Sequence, residues 1–288
     1  MTRMPSETTP VPLVSVVIPA YNNERTLAAS IESVLQQEDV DFELIVSDHA
    51  SSDRTLEIAR SYAQHPRVAV VTAPAGGGAT ANWNHVTACA RGSLIKLVCG
   101  DDTLRPGVLA RQAAHFHDRH VALVACRRDV VDLHGRVRLR SRGLQGLAPR
   151  MSGSAAVRAA VRSGTNPFGE PACVMTRRDV LRDAGGWWGE RPYVIDLATY
   201  FLVLERGDFV ADPVTGAAFT VSAEQQSATM TRTASREVGW LSRWAAQRHP
   251  DVISRTDLRV GAVRRTALST ARAAAFALVR LASRGGPR

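Results

Sequence analysis

The chain has little that could cross-link it or carry it through a membrane. Its four cysteines, Cys89, Cys99, Cys126 and Cys173, include no CxxC pair, which excludes the usual zinc and dithiol spacings and suits a reducing compartment. No stretch reaches the ~18 uninterrupted apolar residues of a spanning helix. The opening MTRMPSETTPVP is polar and proline-bearing, without the apolar core of a secretory leader. The expectation is a cytoplasmic protein, with any membrane contact peripheral and at the inner face. A Gly-Lys-Ser/Thr run is absent too, so a phosphate loop of the NTPase kind is excluded. Lysine is nearly missing: the net charge of +9 and sequence pI near 10.3 rest almost wholly on arginine, which favours anionic partners such as phosphate esters, nucleic acid or an acidic membrane surface. What remains is ordinary for a globular chain, with 45% hydrophobic and 22% charged residues in 288, enough for one large domain with an appendage.

Hydrophobic periodicity predicts an alternation of strands and helices in the first hundred residues. LVSVVIPAY (13–21), FELIVSD (42–48), RVAVVTA (67–73) and SLIKLVC (93–99) have the near-continuous apolar character of parallel strands covered on both faces. Between them, ERTLAASIESVLQQ, RTLEIARSYA and NWNHVTACA carry helical spacing, with Ser51, Ser52 and Asp53 as N-cap candidates for the second and Asn82 for the third. A β-α-β-α-β-α-β order of this kind implies a doubly wound, mostly parallel α/β sheet. Beyond it we expect a helix at 106–119, a strand at 121–126, a basic loop at 136–150, a strand at 172–177 and a helix at 178–188. A helix starting on Asp196, short strands at 208–222 and an arginine- and alanine-rich helical extension at 226–288 complete the chain. The organisation expected is a disordered start (1–11), one domain (12–225) and the extension (226–288).

Ligands of such sheets bind at the carboxyl ends of the strands, where strand order reverses. Polar clusters stand at three of those ends: Tyr21-Asn22-Asn23-Glu24, Ser47-Asp48-His49 and Gly100-Asp101-Asp102. Two carboxylates ~4 Å apart repel by about 4 kcal/mol at an effective dielectric of 20, so Asp101 and Asp102 need solvent, a helix N-terminus or a cation to offset them. A hard divalent ion takes such ligands together with phosphate oxygens, although Gly-Asp-Asp is also good turn chemistry. Asp48 is placed to accept from a base or ribose, or to hold a turn. Gly76-Gly77-Gly78-Ala79-Thr80-Ala81 matches GxGxxA but follows the third strand rather than the first, so a flexible loop is the better reading than a dinucleotide fingerprint. Asp196 follows apolar Tyr193-Val194-Ile195 and reads either as an N-cap or as a carboxylate poised for proton transfer. Of Trp187 and Trp188, we expect one to stack on a sugar and one to pack in the core.

Taken in order, VSVVIPAYNNERTLAASIESVLQQ, ELIVSDHASSDRTLEIA and ANWNHVTACARGSLIKLVCGDDTLRP resemble the family 2 glycosyltransferases of the GT-A fold, over roughly residues 13–225. The resemblance implies that Pro19, Ala20, Tyr21 and Glu24 line a nucleotide pocket and that Asp48 contacts the base. It implies that Asp101 serves the ribose and, with Asp102, a Mn²⁺ or Mg²⁺ ion bridging the diphosphate, and that Gly186 and Trp187 lie near the transferred sugar. Asp196 matches the family's general base. The reaction implied is an inverting transfer from a nucleotide-diphospho-sugar to a hydroxyl of a sugar, lipid-linked or small-molecule acceptor, with no role for nucleic acid. Three positions depart from the family pattern: Cys99 where many members have an acid, Ile195 where a glutamate is usual, and no histidine around Ser222. The rival expectations are a nicotinamide-dependent oxidoreductase built on the Gly76 loop and a non-catalytic nucleotide-sugar binder.

Overall fold

The computed structural model describes residues 12–221 and 231–284, so the expected disordered start and the region around Ser222 lie outside the described residues. In chain order the first elements are β1 (Val14–Ala20), α1 (Leu27–Leu35), β2 (Phe42–Asp48), α2 (Thr55–Ser61), β3 (Val68–Thr72), α3 (Gly78–Ala88) and β4 (Leu94–Leu97). Then come β5 (Thr103–Leu104), α4 (Val108–Ala114), β6 (Val121–Asp132), β7 (Val137–Arg142), β8 (Arg150–Met151), α5 (Gly153–Ser163), β9 (Val174–Arg177) and α6 (Arg178–Asp183). The chain continues through α7 (Ile195–Leu204), β10 (Asp208–Val221), α8 (Thr231–Arg248) and α9 (Arg255–Arg284).

The strands form one sheet in the order β3-β2-β1-β4-β9-β6-β10-β5, with β7 beside β6 and β8 beside β10. β1 is parallel to β2 and β4, and β2 to β3, whereas β9 runs antiparallel to β4 and β6. All seven residues of β1 are buried, as the apolar run requires. Val14, Val16, Val17 and Ile18 are at 0% exposure, and each such side chain contributes about 1.5–3 kcal/mol. Strand order reverses between β1 and β4, which puts the ligand crevice at their carboxyl ends. The Gly76 loop follows β3, the edge strand two places from β1, and is not the turn after β1 that a dinucleotide fingerprint occupies.

Several expectations are corrected. The basic loop at 136–150 contains β7, an edge strand paired to β6; Val137 and Leu139 alternate there with arginines that face outward, and Gly135 takes the positive φ (+73°) needed to turn into it. The short strands at 208–222 are one long strand, β10, broken in register near Asp212 and Thr215. Helix α3 starts at Gly78, so Asn82 lies inside it rather than at its cap. Helix α2 has Arg54 at its cap position, while Asp53 accepts from Thr55 N (2.9 Å) and Glu24 N (3.1 Å) and so ties the loops after β1 and β2 together.

Lys96, the chain's one lysine, lies at 0% exposure in β4 and donates to Gln112 Oε1 (2.7 Å) and Val174 O (3.4 Å). Burial lowers its ammonium pKa.

The C-terminal helices are fastened to the domain by polar and close-packed contacts. Asp257 at the start of α9 is fully buried and receives Arg158 (2.9 Å), Arg162 and Ser254 N (2.9 Å). Burial alone would raise its carboxyl; the two guanidiniums and the N–H outweigh that and hold it well below the usual carboxylate range. A Cβ on Gly261 would sit 2.1 Å from Val161 O, so α9 meets α5 at backbone distance. Among the described residues no helix is long and apolar enough to cross a membrane.

Candidate active site

Three loops meet at the carboxyl edge of β1, β2 and β4. Asn22 N donates to Ser51 Oγ (3.1 Å), Ser52 N to Asn22 Oδ1 (2.9 Å), and Asn23 N to Thr55 Oγ1 (2.7 Å). Thr26 Oγ1 donates to Gly100 O (2.8 Å), and a side chain on Gly100 would strike Asn23 Oδ1 at 2.7 Å, which requires glycine there. The three polar clusters expected at separate strand ends are thus laced into one surface.

Asp48 is 2% exposed. Its Oδ2 accepts from Ser51 N (3.2 Å), while Oδ1 is buried without a hydrogen-bond partner among the described residues. An unmatched buried carboxylate oxygen costs about 1–3 kcal/mol or more, and a ligand N–H or O–H would offset that cost. Beside it Tyr21 is 59% exposed, edge-on to His49 at 6.1 Å, a free aromatic face at the strand end. Pro19 and Ala20 are buried within β1 and form the floor. Glu24 is exposed and accepts from Arg54 N (3.2 Å), which makes it a brace at the rim. Sequence reasoning missed Asn82, which is buried beneath this floor, accepts from Ser47 Oγ (2.7 Å) and reaches Ala20 O and Ser47 O (both 3.4 Å), so it staples β1 to β2.

The turn after β4 carries Cys99, Asp101 and Asp102, whose ligand atoms all lie within 4.8 Å of one another. Cys99 and Asp101 are half-buried; Asp102 is 1% exposed and accepts from Thr220 N (3.1 Å). Burial, then the charge of Asp101, pushes the Asp102 carboxyl well up. The Cys99 thiol is pushed well up by burial and then by Asp102, Asp101, Asp196 and Glu170, so four carboxylates converge on it. A cluster of two carboxylates and a thiol with their ligand atoms within 4.8 Å of one another is a donor set that fits a divalent cation. Cys99, which sequence reasoning treated as a missing acid, offers a third ligand atom at this point.

Asp196 is the second residue of α7, and the cap position belongs to Val194, which corrects the N-cap reading. Its Oδ1 accepts from Leu197 N (2.7 Å) and its Oδ2 from Asn166 Nδ2 (2.9 Å). Burial raises its carboxyl to about 7, with the charge of Glu170 adding, against the opposing pull of Leu197 N–H and Asn166. A half-buried carboxylate that titrates near neutrality is suited to accept a proton. The loop Asn166-Pro-Phe-Gly-Glu-Pro171, which offered no chemistry in sequence, supplies two of its neighbours. Asn166 Oδ1 also accepts from Phe168 N (3.1 Å) and Gly169 N (3.3 Å), an Asx-type turn that aims its amide at Asp196. Glu170 pairs with Arg128 of β6, whose Nη2 lies 2.9 Å away, so a guanidinium is held next to the carboxylate cluster.

Gly186 has φ +77°, and a Cβ on it would meet Asn84 Oδ1 at 2.5 Å. Trp187 is 5% exposed, packs edge-on to Trp83 at 5.1 Å and donates through its indole to Thr87 Oγ1 (2.9 Å). It supports the loop from behind and presents no face to a sugar, a correction to its expected role. Trp188 stacks on Trp240 of α8 at 5.6 Å, so neither indole is free at the crevice.

Residues 15–185 match the profile of glycosyl transferase family 2. The chain belongs to that family. An uncharacterized protein of Mycobacterium tuberculosis is 35% identical over 204 residues, 68% of this chain and 63% of its own length. The uncharacterized glycosyltransferase EpsJ of Bacillus subtilis is 33% identical over 116 residues, 40% of this chain and 34% of that protein. The chain thus spans less than two thirds of the length of these relatives. Residues 1–349 of TarS from S. aureus, solved in complex with UDP-GlcNAc, share the fold at a TM-score of 0.61 and 21% identity, over 81% of this chain and 66% of that one. The fold, a large central sheet in a mixed α/β arrangement with helices at the C-terminus, is therefore similar to that of TarS.

The orientation of Asp196 by Asn166 is open to test. In Asn166→Ala the lost hydrogen bond to a charged acceptor, about 1.5–3 kcal/mol, should raise the Asp196 carboxyl further. The acid limb of the kcat/KM profile is expected to move to higher pH, with activity at pH 7 down about tenfold and recovered in alkaline buffer. An unshifted limb would mean that Asn166 holds only the loop.

Proposed function

We propose that the protein transfers a sugar from a nucleotide-diphospho-sugar to an acceptor hydroxyl, with inversion at the anomeric carbon. The observation that supports this most directly is the buried, unmatched Asp48 Oδ1 beside exposed Tyr21 at the strand-order reversal, a place built for a planar ligand that carries an N–H donor. The UDP-GlcNAc complex of TarS supports a donor of this class. In this reading Asp48 receives the base, Tyr21 flanks it, and Asp101 reaches the ribose. Cys99, Asp101 and Asp102 would hold Mn²⁺ or Mg²⁺, which when bound supplies positive charge opposite the departing diphosphate. Asp196 takes the proton from the acceptor hydroxyl as that oxygen attacks, and Asn166 and Leu197 N–H keep its carboxylate aimed. Arg128, fixed by Glu170, keeps positive charge at the edge of the cluster. A cytoplasmic location, with peripheral contact at an inner membrane face, is part of the same proposal.

Thermal-shift titration is the direct test. UDP or dTDP with Mn²⁺ should raise the midpoint, and a hundredfold excess over Kd corresponds to about 2.7 kcal/mol. NAD(H) should leave it unchanged. Stabilisation by NAD(H) alone would overturn the proposal in favour of an oxidoreductase.

A further inference from the structure

A cavity of about 580 Å³ lies between the segment that precedes Asp196 and the two C-terminal helices. Its wall carries Arg191, Arg236, Arg243 and Arg265, three hydroxyl side chains, the Trp240 ring and a single acid, Glu237. Glu237 already accepts from Tyr193 N at 2.9 Å. Among the described residues none of the four arginines has a carboxylate within ion-pair distance. Nearby, Arg158 and Arg162 meet Asp257 and Arg248 meets Glu205, whereas Arg255, Arg259 and Arg264 on the outer part of α9 likewise have no carboxylate at ion-pair distance among the described residues.

The arginines are also positioned. Arg191 lies over the Trp240 ring at 4.3 Å, and Trp240 clusters with Trp188 and Trp244, the three ring centroids lying 5.6–6.3 Å from one another. Arg265 lies against Gly239, where a Cβ would come within 3.0 Å of Nη2, so the backbone of α8 forms a cradle for that guanidinium. Burial and the nearby charge of Arg243 lower the Arg265 pKa. Four guanidiniums around an open space, against a single carboxylate that already accepts from Tyr193 N, favour an anion. Two or more guanidiniums at such a wall match the tetrahedral oxygens of a phosphate.

We propose that this cavity binds the phosphate or diphosphate of the acceptor substrate, at a site separate from the donor crevice. The inference rests on the transfer reading above. It places the anion beside Arg191, a few residues before Asp196 in the chain, with Trp188 and Tyr193 connecting the cavity wall to α7. The acceptor class it names is a phosphorylated one, either a lipid phosphate or a sugar phosphate.

Calorimetry on the full chain, with the donor crevice first saturated by UDP and Mg²⁺, tests the site. Inorganic phosphate should then bind in a second event. Arg236→Ala and Arg243→Ala, both at exposed positions, should each weaken it about tenfold and leave the UDP titration unchanged. Farnesyl monophosphate and glucose 1-phosphate distinguish the two sources, since the tighter of them, bound through the same arginines, identifies the acceptor. A phosphate event that the variants leave unchanged overturns the proposal. So does binding to phosphatidylglycerol vesicles with no event for any of the three phosphates, which would make the arginines a membrane-facing patch. Absence of UDP binding in the first titration would instead count against the transfer reading itself, so the two failures are told apart.

Discussion

Replacement of Asp196 by asparagine is expected to abolish turnover and to make the protein more stable. A positioned general base contributes about 10²–10⁴-fold, and asparagine cannot accept the proton, so kcat should fall by that factor with nucleotide binding kept. The stability gain follows from the raised carboxyl. With a folded pKa of about 7 and an ordinary unfolded value, the native state retains a proton that the unfolded chain has already lost between about pH 4 and 7. The stability this group contributes is therefore full at low pH and is lost as pH rises through that window. About three pH units at 1.36 kcal/mol set an upper bound of roughly 4 kcal/mol on the cost of the buried charge at pH 8. Asparagine carries no such charge but loses one of the two acceptor contacts, to Leu197 N or to Asn166, so a net gain of about 1–3 kcal/mol is expected. Denaturant melts at pH 8 and pH 5 check it: the advantage should be present at the first and shrink at the second. A variant that remains active, or that is less stable than wild type at pH 8, would refute the assignment.

The second large effect concerns the cluster after β4. Asp101→Asn is expected to lower kcat/KM by about 10²–10³, the equivalent of the several kcal/mol that a cation supplies to a departing diphosphate. Cys99 adds a prediction that carboxylates alone would not make. A soft sulfur donor favours thiophilic ions, so Cd²⁺ should give a sulfur-to-metal charge-transfer absorption in the ultraviolet. With exposed Cys89 first changed to serine, and Cys126 and Cys173 buried, that absorption should vanish in Cys99→Ser and need more metal to appear in Asp101→Asn. A spectrum indifferent to Cys99 would remove the thiol from the donor set. Asp102→Ala is expected to lower kcat/KM as Asp101→Asn does and also to act on stability, because it removes the buried hydrogen bond from Thr220 N, worth about 1–3 kcal/mol.

Much of the crevice was legible because its strands are buried on both faces. β1, β2 and β4 had to be continuous apolar runs, and the polar residues that interrupt them mark where the sheet opens to ligand. That rule singled out Asp48, Asp101 and Tyr21, which the fold brings to one edge of the sheet. The residues missed act across long separations. Asn166 reaches Asp196 over 30 positions, and Arg128 reaches Glu170 over 42. Nothing in the local pattern of a glycine-proline loop announces such partners. Trp187 was misplaced for a related reason: an indole beside two glycines suits a sugar face or a core equally, and only the buried Thr87 hydroxyl and the Trp83 edge decide between them. The strand β7 was hidden by its arginines, since an edge strand exposed on its outer face keeps only the weak alternation of Val137 and Leu139.

The burial of Lys96 has a practical consequence for handling the protein. The one side-chain amine is sealed inside β4, so reagents that acylate lysine find no side-chain target on the folded chain. Amine-directed coupling should therefore mark the N-terminus alone, giving a single defined point for a fluorophore or a surface tether. Acylation of Lys96 in turn reports that the sheet has opened. The same scarcity makes the surface charge permanent: guanidinium groups stay protonated across the usable pH range, and enzymatic lysine acetylation has no exposed side chain on which to act.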